Sequence, residues 1–363
     1  MKDTLTDANF PRTADQRVYH LGVRPGEVAN RIVTVGSPSR ANTVASFLDA
    51  KPKPFVLNSE RGFLTITGRY KGVPVSIISI GMGSPNMDFF VREIRESVSG
   101  DLAIIRLGSC GGLVDIRPGT VVVADACVSI SRNVDFDFAN PESCDEPAYR
   151  ISKPVAADEK LTNELVKALH AAKPSTSLSD IISGTVNASA DRYVDKTSCS
   201  HQKFSDDGPV FASFYSSQGR QTSFPDHNEH LIEYLQKMVE NLSTLEMETF
   251  HLFHLAACWR ARSAVSTVER TPLTTGPVTP VIAQSSNPTP QIPPTPQALP
   301  NSVIRAAGIH MVFASRKSRD FITPEQVKEV EEWTGQGVLN ALVNIDIPED
   351  QMHTSEGSVW ELV

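Results

Sequence analysis

The stretch Leu102–Gly112, LAIIRLGSCGG, decides the fold of this chain. It opens with almost entirely apolar residues, including two β-branched isoleucines, which is typical of a short buried strand. The strand is predicted to end at Arg106, where a turn of glycines with Ser109 and Cys110 begins. Ligands of open α/β sheets bind just beyond the carboxyl ends of strands, where loops expose backbone N–H groups. A guanidinium followed by glycines and a hydroxyl suits an anion such as phosphate, although a structural arginine before a glycine turn would leave the same pattern.

Composition and charge limit the classes of protein to which the chain can belong. Its 363 residues are 40% hydrophobic and 21% charged, which is ordinary for a globular protein with a substantial core. The formal net charge of −8 argues against a nucleic-acid partner. The five scattered cysteines include no C-x-x-C pair, so neither a disulfide framework nor a zinc site is expected. The sequence has no h-region and no apolar run of membrane length, so we expect a cytoplasmic protein without a membrane partner.

A second corner suited to an anion lies closer to the start of the chain. The strand predicted at Arg31–Val35 leads into Gly36 and then into a helix that carries Arg40 near its start. Arg61 stands in a polar turn just before the next predicted hairpin. Strand–glycine–helix corners are common and mostly structural, and a lone arginine in a turn is usually solvated. Neither feature decides a function by itself.

The rest of the chain alternates between predicted strands and helices. Further strands are predicted at Gly119–Ala124, Asp180–Ala190 and Ile309–Ala314, and helices after Pro85 and at Asp158–Ala172, Asn228–Asn241, Thr244–Arg260 and Pro324–Leu342. The last of these helices is preceded by Thr323 with Gln326 three residues later, which is the pattern of a capping box. Strands that alternate with helices predict an α/β layer fold.

Two segments interrupt this alternation. Arg192–Phe211 is polar and without a clear period, and Ser263–Ser302 is rich in Pro, Thr, Ser and Gln. The second segment cannot bury enough apolar surface to offset its ordering entropy, which predicts a disordered or polyproline-like surface loop. Because the α/β pattern resumes after each, we interpret both as insertions into a single domain at 18–345, with tails at 1–17 and 346–363. A segment that binds a partner protein is the alternative.

Seven motifs, met in order along the chain, resemble those of the nucleoside phosphorylases of the uridine-phosphorylase type. They are YHLG (19–22), GSPSR (36–40), GMGSP (81–85) with Glu93, RLGSCG (106–111), FYSSQGR (214–220), LEMET (245–249) and ASR (314–316). The resemblance runs from about Val18 to Leu342 and is interrupted only by the two insertions. It implies a three-layer single domain of the nucleoside-phosphorylase type, with helices on both faces of a mixed central β-sheet.

The resemblance also implies a reaction, the phosphorolysis of uridine to uracil and ribose 1-phosphate in pyrimidine salvage. Such a site has to orient phosphate, grip the ribose as it gains oxocarbenium character and help the base to leave with negative charge. No covalent nucleophile, metal or cofactor is required, since inorganic phosphate is a co-substrate. The alternatives are a purine nucleoside phosphorylase, a nucleosidase that uses water, and a nucleoside-binding module that turns over poorly.

Each phosphate and ribose role of the family falls on a matching residue of this chain. The implied phosphate ligands are Gly36, Arg40, Arg61, Arg106 and Ser109, and the implied ribose ligands are His20, Glu246, Met247 and Glu248. Three guanidiniums neutralise a phosphate dianion and hold it bidentately, and a glutamate accepts hydrogen bonds from two hydroxyls. In the family, Arg61 and His20 are supplied by a neighbouring subunit, so a homodimer, or a homohexamer built from dimers, is expected. Two glutamates on a predicted helix would also fit a solvated face.

The implied base-binding residues favour a pyrimidine. They are Cys110, Gly111, Phe214, Gln218, Arg220 and Arg316, and two of them, Gln218 and Arg220, join Arg106 and Glu248 as the implied catalytic residues. Gln218 is expected to accept from N3–H of uracil and donate to one oxygen, while Arg220 donates to an oxygen and Phe214 contacts the ring. Purine-specific relatives favour an aspartate near the last strand, where this chain has no acid before Asp320.

Several positions depart from the family pattern. Ser109 and Cys110 replace the usual pair of threonines, which keeps one hydroxyl for phosphate and exchanges the other for a thiol. Ser37 stands where aspartate is common in bacterial members. Gly62 stands where bacterial members carry a glutamate tied to a monovalent cation, so we do not predict that ion.

Overall fold

A mixed β-sheet forms the centre of the fold. The structure is a computed structural model, and it describes residues 5–8, 10–190, 224–262, 299 and 301–362. Its strands are β1 (Leu5–Thr6), β2 (Arg12–Thr13), β3 (Arg31–Val35), β4 (Phe55–Asn58), β5 (Leu64–Tyr70), β6 (Val73–Ser79), β7 (Leu102–Gly112), β8 (Val121–Arg132), β9 (Tyr149–Ile151), β10 (Val155–Ala156), β11 (Ile181–Ala190), β12 (Leu242–Glu246) and β13 (Ile304–Ser315). Its helices are α1 (Pro38–Ala45), α2 (Ser84–Arg95), α3 (Glu159–Ala172), α4 (Leu231–Met238), α5 (Thr249–Arg262) and α6 (Pro324–Asn344).

Strand β7 spans all of Leu102–Gly112 and is longer than the sequence predicted. Strand β13 pairs with it in parallel along its whole length, from Leu102 to Gly112. The prediction of a turn after Arg106 is therefore wrong. The glycine-rich residues lack side chains that would favour a strand, but hydrogen bonds to neighbouring strands hold them extended, which local sequence does not reveal.

Strands β3 and β12 both pair with the edge of β7 that lies opposite β13. Their C-terminal ends point toward each other. Strand β3 runs parallel to β7 and places Val35 opposite Leu107. Strand β12 runs antiparallel and places Leu245 opposite Gly111. The chain leaving β3 and the chain leaving β12 therefore converge beside Gly108–Cys110. This gap between two strand ends positions the site described below.

Helices cover both faces of the sheet. The core on one face includes residues of α1, α3 and α6, and the core on the other face includes residues of α2 and α5. Side chains of β7 alternate between the two cores, with Ile105 in the first and Ile104 in the second. The Arg106 side chain lies on the same face of β7 as Ile104, toward α2 and α5. The structure confirms the predicted three-layer α/β fold with a mixed sheet. None of the helices in the described ranges is long and apolar enough to cross a membrane.

The helix predicted over Thr244–Arg260 begins later than expected. Residues Leu242–Glu246 form strand β12, and the helix α5 starts at Thr249. All five residues of β12 are buried between β11 and β7. The run of apolar residues and glutamates there is equally compatible with a helix, and the pairing partners that decide for a strand are distant in sequence.

The described residues of the segment predicted as a tail at 346–363 include some that pack onto the domain. The Trp360 side chain is 1% exposed, and its carbonyl accepts a hydrogen bond of 2.9 Å from Arg69 Nε. The amide of Val359 donates to the carbonyl of Gly26 at 2.9 Å. Polar residues around a single tryptophan give little periodic signal, so the sequence did not reveal this contact.

Candidate active site

The gap between the ends of β3 and β12 brings together a buried guanidinium and a buried carboxylate. Arg106 Nη2 lies 2.9 Å from Glu248 Oε2, and the two residues are only 3% and 5% exposed. The other Glu248 oxygen, Oε1, accepts a hydrogen bond of 2.6 Å from the amide of Gly83. Gly83 has φ +94°, a backbone conformation that favours glycine, and this turn aims its amide at the carboxylate. Burial raises the pKa of Glu248, opposed by Arg106 and reinforced by Glu246.

Arg106 keeps two donors without a partner among the described residues. Its Nε and Nη1 are buried and make no hydrogen bond there. Glycines flank this part of the guanidinium: a Cβ placed on Gly36 would lie 3.5 Å from Nη2, and one placed on Gly108 would lie 3.6 Å from Nε. Glycine thus lies next to both Nη2 and Nε, and buried donors such as Nε and Nη1 are normally paired with an acceptor.

Arg40 brings a second buried guanidinium to the same region. It lies in the first turn of α1, where Ser37 caps the helix by accepting from the Arg40 amide. Arg40 Nε lies 2.7 Å from Glu331 Oε1 on α6, and the guanidinium stands 5.6 Å from the centre of the Phe313 ring. Burial lowers the pKa of Arg40, Glu331 opposes this effect, and the charge of Arg106 adds to it. Two cations that repel each other across a buried site are stabilised by an anion between them.

The remaining residues expected around phosphate and base lie along β7 and its neighbours. Ser109 and Cys110 belong to β7, and burial, reinforced by Glu246, raises the pKa of the Cys110 thiol well above its ordinary value. A Cβ on Gly111 would stand 3.6 Å from Arg316 Nε, and the Arg316 amide donates to the carbonyl of Gly112. Met247 is buried in the connection from β12 to α5. Met247 therefore adjoins Glu248, and Arg316 adjoins Gly111.

Glu246, expected beside the ribose, is surrounded by donors from the protein itself. Its Oε1 accepts from Asn187 Nδ2 at 2.8 Å and from the Ser189 hydroxyl, and its Oε2 accepts from the Glu248 amide at 2.9 Å. The amide and hydroxyl of Thr249 complete the set, the hydroxyl at 2.9 Å. Burial opposes ionisation of Glu246, but His310, these donors and Arg106 hold the pKa of its carboxyl below the usual range. The carboxylate anchors the connection that presents Glu248.

His310 is a buried residue that the sequence analysis missed. Its ring is completely buried, and Nε2 lies 2.9 Å from the Thr249 hydroxyl. Burial lowers the pKa of His310 to about 4, Glu246 opposes this shift and Arg106 adds to it. Because the Thr249 hydroxyl donates to Glu246, it accepts from His310 Nε2–H. A polar residue on the inward face of a predicted core strand was the signal that could have identified it.

A second cluster gathers the residues expected to serve a neighbouring subunit. His20 Nδ1 lies 2.7 Å from Glu93 Oε1, and the imidazole stacks on Phe89 with ring centres 3.8 Å apart. The Tyr19 ring packs edge-on against His20 at 4.9 Å. Arg61 lies over the Tyr19 ring at 4.7 Å and donates to its hydroxyl. His20 and Arg61, 41 positions apart in the sequence, thus form one surface group.

Several predicted features fall outside the described residues. They are the base-binding Phe214, Gln218 and Arg220, the whole insertion at 192–211, and most of the insertion at 263–302. Among the residues that the structure does describe, no group of three or more His, Cys, Asp or Glu side chains could hold a metal ion.

Comparison with known protein families assigns the chain to one of them. The family model described as the phosphorylase superfamily matches residues 30–268. The match covers more than half of the chain and includes the strand ends and the Arg106–Glu248 pair described above. The protein belongs to the phosphorylase superfamily.

The individual relatives within this family include a uridine phosphorylase and a purine nucleoside phosphorylase. The uridine phosphorylase of Thermococcus kodakarensis is 27% identical over 269 residues, which cover 72% of this chain and 80% of the relative. A DeoD-type purine nucleoside phosphorylase of Geobacillus kaustophilus is 38% identical over 107 residues, which cover 29% of this chain and 44% of that protein.

Solved structures give the same picture at the level of the fold. One from a study of two uridine phosphorylases in the oomycete Phytophthora capsici is 33% identical, with a TM-score of 0.73 over 95% of this chain and 100% of that one. A Trypanosoma brucei nucleoside phosphorylase, described as showing uridine phosphorylase activity, has a TM-score of 0.62 at 18% identity over 93% of this chain, which demonstrates a shared fold alone.

Proposed function

We propose that this protein is a uridine phosphorylase, a pentosyltransferase that uses inorganic phosphate to cleave uridine into uracil and ribose 1-phosphate. The relatives that match most of the chain support uridine as the substrate: the T. kodakarensis enzyme covers 72% of it and the P. capsici structure 95%. The purine nucleoside phosphorylase of G. kaustophilus matches over less than half of its own length, so it supports a purine substrate less well.

The observation that carries the proposal is the buried guanidinium of Arg106 with two unpartnered nitrogens. Buried donors without acceptors are costly, and a buried charge is costlier still. Glu248 forms an ion pair with Arg106, and Glu331 forms one with Arg40. The two guanidiniums still repel each other, and the negative charge of a phosphate bound between them would reduce that repulsion. Phosphate offers the oxygens that Nε and Nη1 of Arg106 need, and a guanidinium holds it in a fixed orientation. Gly36 and Ser109 supply the backbone and hydroxyl donors expected around it.

Glu248 is proposed to hold the ribose. Each of its oxygens accepts one protein hydrogen bond, from Gly83 or from Arg106, and each carboxylate oxygen has a second lone pair available. Two ribose hydroxyls would fill those positions, with the Met247 backbone beside them. Because Arg106 contacts Glu248 directly, the same pair would fix the distance between phosphate and C1′.

The base is proposed to lie against Cys110, Gly111 and Arg316, with Phe214, Gln218 and Arg220 completing its site. Donors aimed at the uracil oxygens become more effective as the base acquires negative charge in the transition state. This gives Gln218 and Arg220 a catalytic role alongside Arg106 and Glu248. This scheme uses no metal or organic cofactor, and we propose that the enzyme acts in the cytoplasm.

Sharing of sites between subunits is part of the same proposal. His20 and Arg61 lie together in the surface cluster, where Arg61 is exposed and contacts Tyr19 instead of the Arg106–Glu248 pair. We infer that they serve the site of a neighbouring copy, His20 at the 5′-hydroxyl and Arg61 at phosphate. A homodimer is the smallest assembly that places them there, and a homohexamer built from such dimers does so as well.

The test is the dependence of uridine cleavage on phosphate. Protein from a host strain without its own uridine phosphorylase is given uridine with and without phosphate, and uracil and ribose 1-phosphate are quantified. We expect both products with phosphate and neither without it. Equal uracil release without phosphate would instead identify a nucleosidase, faster turnover of inosine a purine phosphorylase, and uridine binding without turnover a binding module.

A further inference from the structure

Glu93 is a buried carboxylate on α2 that lies outside the Arg106–Glu248 site. Its two oxygens accept hydrogen bonds from the segment that carries His20: Oε1 from the His20 amide at 2.9 Å, and Oε2 from the Leu21 amide at 2.8 Å. Oε1 also lies 2.7 Å from Nδ1 of the imidazole. Three donors from two successive residues therefore converge on one side chain.

The contact between Glu93 and His20 determines which nitrogen of the ring faces outward. A carboxylate only accepts hydrogen bonds, so Nδ1 carries the proton and Nε2 is left as the free nitrogen. The Phe89 ring stacks on the imidazole at an angle of 11° and keeps it from rotating. A neutral His20 then offers an acceptor at Nε2, which suits a hydroxyl group that donates.

Helix α2 also separates His20 from the Arg106–Glu248 site of its own chain. The amide that contacts Glu248 belongs to Gly83, immediately before the helix. At 1.5 Å per residue, Phe89 and Glu93 lie about 9 Å and about 15 Å further along the axis. His20 therefore contacts a later part of α2 than the Arg106–Glu248 pair does, as expected of a group that serves another copy of the chain.

We propose that Glu93 is the positioning residue of the ribose 5′-hydroxyl subsite. It fixes the tautomer, the ring orientation and the backbone of His20, and through His20 it sets the preference for a nucleoside with a free 5′-hydroxyl. The inference rests on the proposed uridine phosphorylase activity for its substrate, and on the geometry of Glu93 and His20 for its mechanism.

The direct test replaces Glu93 by glutamine, which has nearly the same shape. Glutamine has a single accepting oxygen. With its N–H₂ group at the Oε1 position, Glu93→Gln loses the bond from the His20 amide and moves the ring proton to Nε2; with that group at the Oε2 position, it loses the bond from the Leu21 amide and keeps the Nδ1–H form. Nitrogen NMR of ¹⁵N-histidine-labelled protein reads the tautomer, with the His20 signal assigned by its loss in His20→Ala. We expect the Nδ1–H form in the unsubstituted protein and its loss in Glu93→Gln when the N–H₂ group takes the Oε1 position. Glu93→Ala has no acceptor in either position, so a His20 signal that is unchanged in both Glu93→Gln and Glu93→Ala would overturn the proposal.

The functional test compares uridine with 5′-deoxyuridine, which lacks the 5′-hydroxyl. Loss of one hydrogen bond to a charge-oriented group predicts a roughly 10-fold to 100-fold lower kcat/KM for uridine in Glu93→Gln. The value for 5′-deoxyuridine should change by less than about 3-fold, so the preference for uridine disappears. Equal losses on both substrates would show that Glu93 only supports the fold, which contradicts the proposal.

A matched control, Glu96, lies directly after the last residue of α2. Glu96 makes an ion pair of 3.5 Å with Arg12 and has a side chain that is 33% exposed. Glu96→Gln should leave the His20 signal and both kcat/KM values unchanged. If the unsubstituted protein cleaves neither nucleoside, the proposed function fails, and the NMR comparison still decides whether Glu93 fixes His20.

Discussion

At the scale of single residues, Arg106 joins the parts of the proposed site. One of its nitrogens, Nη2, binds Glu248, and two others, Nε and Nη1, are buried without a partner among the described residues. A shorter or non-planar cation could not serve both directions, because the fork of the guanidinium fixes the angle between its donors. In the proposed reaction, Arg106 would therefore couple phosphate to ribose.

Arg106→Ala should abolish most phosphorolysis while the protein remains folded. Removing a preorganised charged donor from a buried site typically costs two to three decades in rate. We expect kcat/KM for uridine to fall by roughly 100-fold to 1,000-fold and the KM for phosphate to rise. Steady-state kinetics over a phosphate series measures both.

The control for this substitution is Arg117→Ala. Arg117 pairs with Asp180 at 2.6 Å on the surface, and its side chain is 73% exposed. Its loss should change kcat/KM by less than a factor of two. If Arg106→Ala retains more than about a third of the activity with an unchanged KM for phosphate, the phosphate site lies elsewhere.

At the scale of elements, β12, α5 and β13 meet around one buried hydrogen-bond network. This network connects Glu246 at the end of β12, the Thr249 hydroxyl at the start of α5, and His310 on β13. Gly308 on β13 leaves room for this contact, since a Cβ there would come within 2.7 Å of Thr249 Cγ2. The junction holds the backbone that presents Glu248.

This junction predicts a specific loss of stability in mild acid. The pKa of His310 is about 4 in the folded protein and near 6.5 when unfolded, so protonation favours the unfolded chain. Stability from the neutral ring is complete above about pH 6.5 and falls as the pH drops toward 4. Between pH 7 and pH 5 the expected loss is about 2 kcal/mol. His310→Gln keeps a donor to Thr249 but has no titrating group there. Its free energy of unfolding should therefore fall by correspondingly less between pH 7 and pH 5.

Urea unfolding at both pH values, at one protein concentration, measures the difference. His353, whose pKa is lowered by burial and by Arg95, contributes equally to both proteins and cancels. His170→Gln, at an exposed position in the last turn of α3, should show the same pH dependence as the unsubstituted protein. Identical pH dependence in His310→Gln would show that His310 is not the group that titrates.

At the scale of the whole molecule, the chain carries two functional groups of residues on separate elements. The Arg106–Glu248 pair lies at the gap between β3 and β12, and His20 lies along α2 beside Phe89 and Glu93. We propose that the two groups act together between copies of the chain. Function then depends on assembly in a way that a mixing experiment detects.

Mixing His20→Ala with Glu248→Ala should restore activity that neither variant has alone. In a mixed dimer, one site lacks both groups and the other is intact, so about half of the wild-type activity per mixed dimer is expected from counting sites. Uridine turnover is measured after subunit exchange confirmed by native mass spectrometry. Exchange without recovery would place His20 in the site of its own subunit or outside the reaction.

Much of this protein is determined by its sequence alone. Apolar runs of strand length alternating with amphipathic helices established the α/β class, because burial patterns with periods of 2 and 3.6 are local properties. The order of the glycine–arginine corners and the LEMET motif indicated the family and which residues to examine, including Arg40, Arg106 and Glu248. Side-chain chemistry is likewise local: guanidiniums suit phosphate and carboxylates suit ribose hydroxyls.

The tertiary structure decided what depends on contacts between residues distant in sequence. It made strands of Leu242–Glu246 and of the glycines after Arg106, and it buried Trp360 against the domain. It also gave Glu246 an anchoring role and brought Glu93 to His20 across 73 positions. Strand pairing and the satisfaction of buried polar groups are settled by partners that only the folded chain brings together, so no local pattern encodes them.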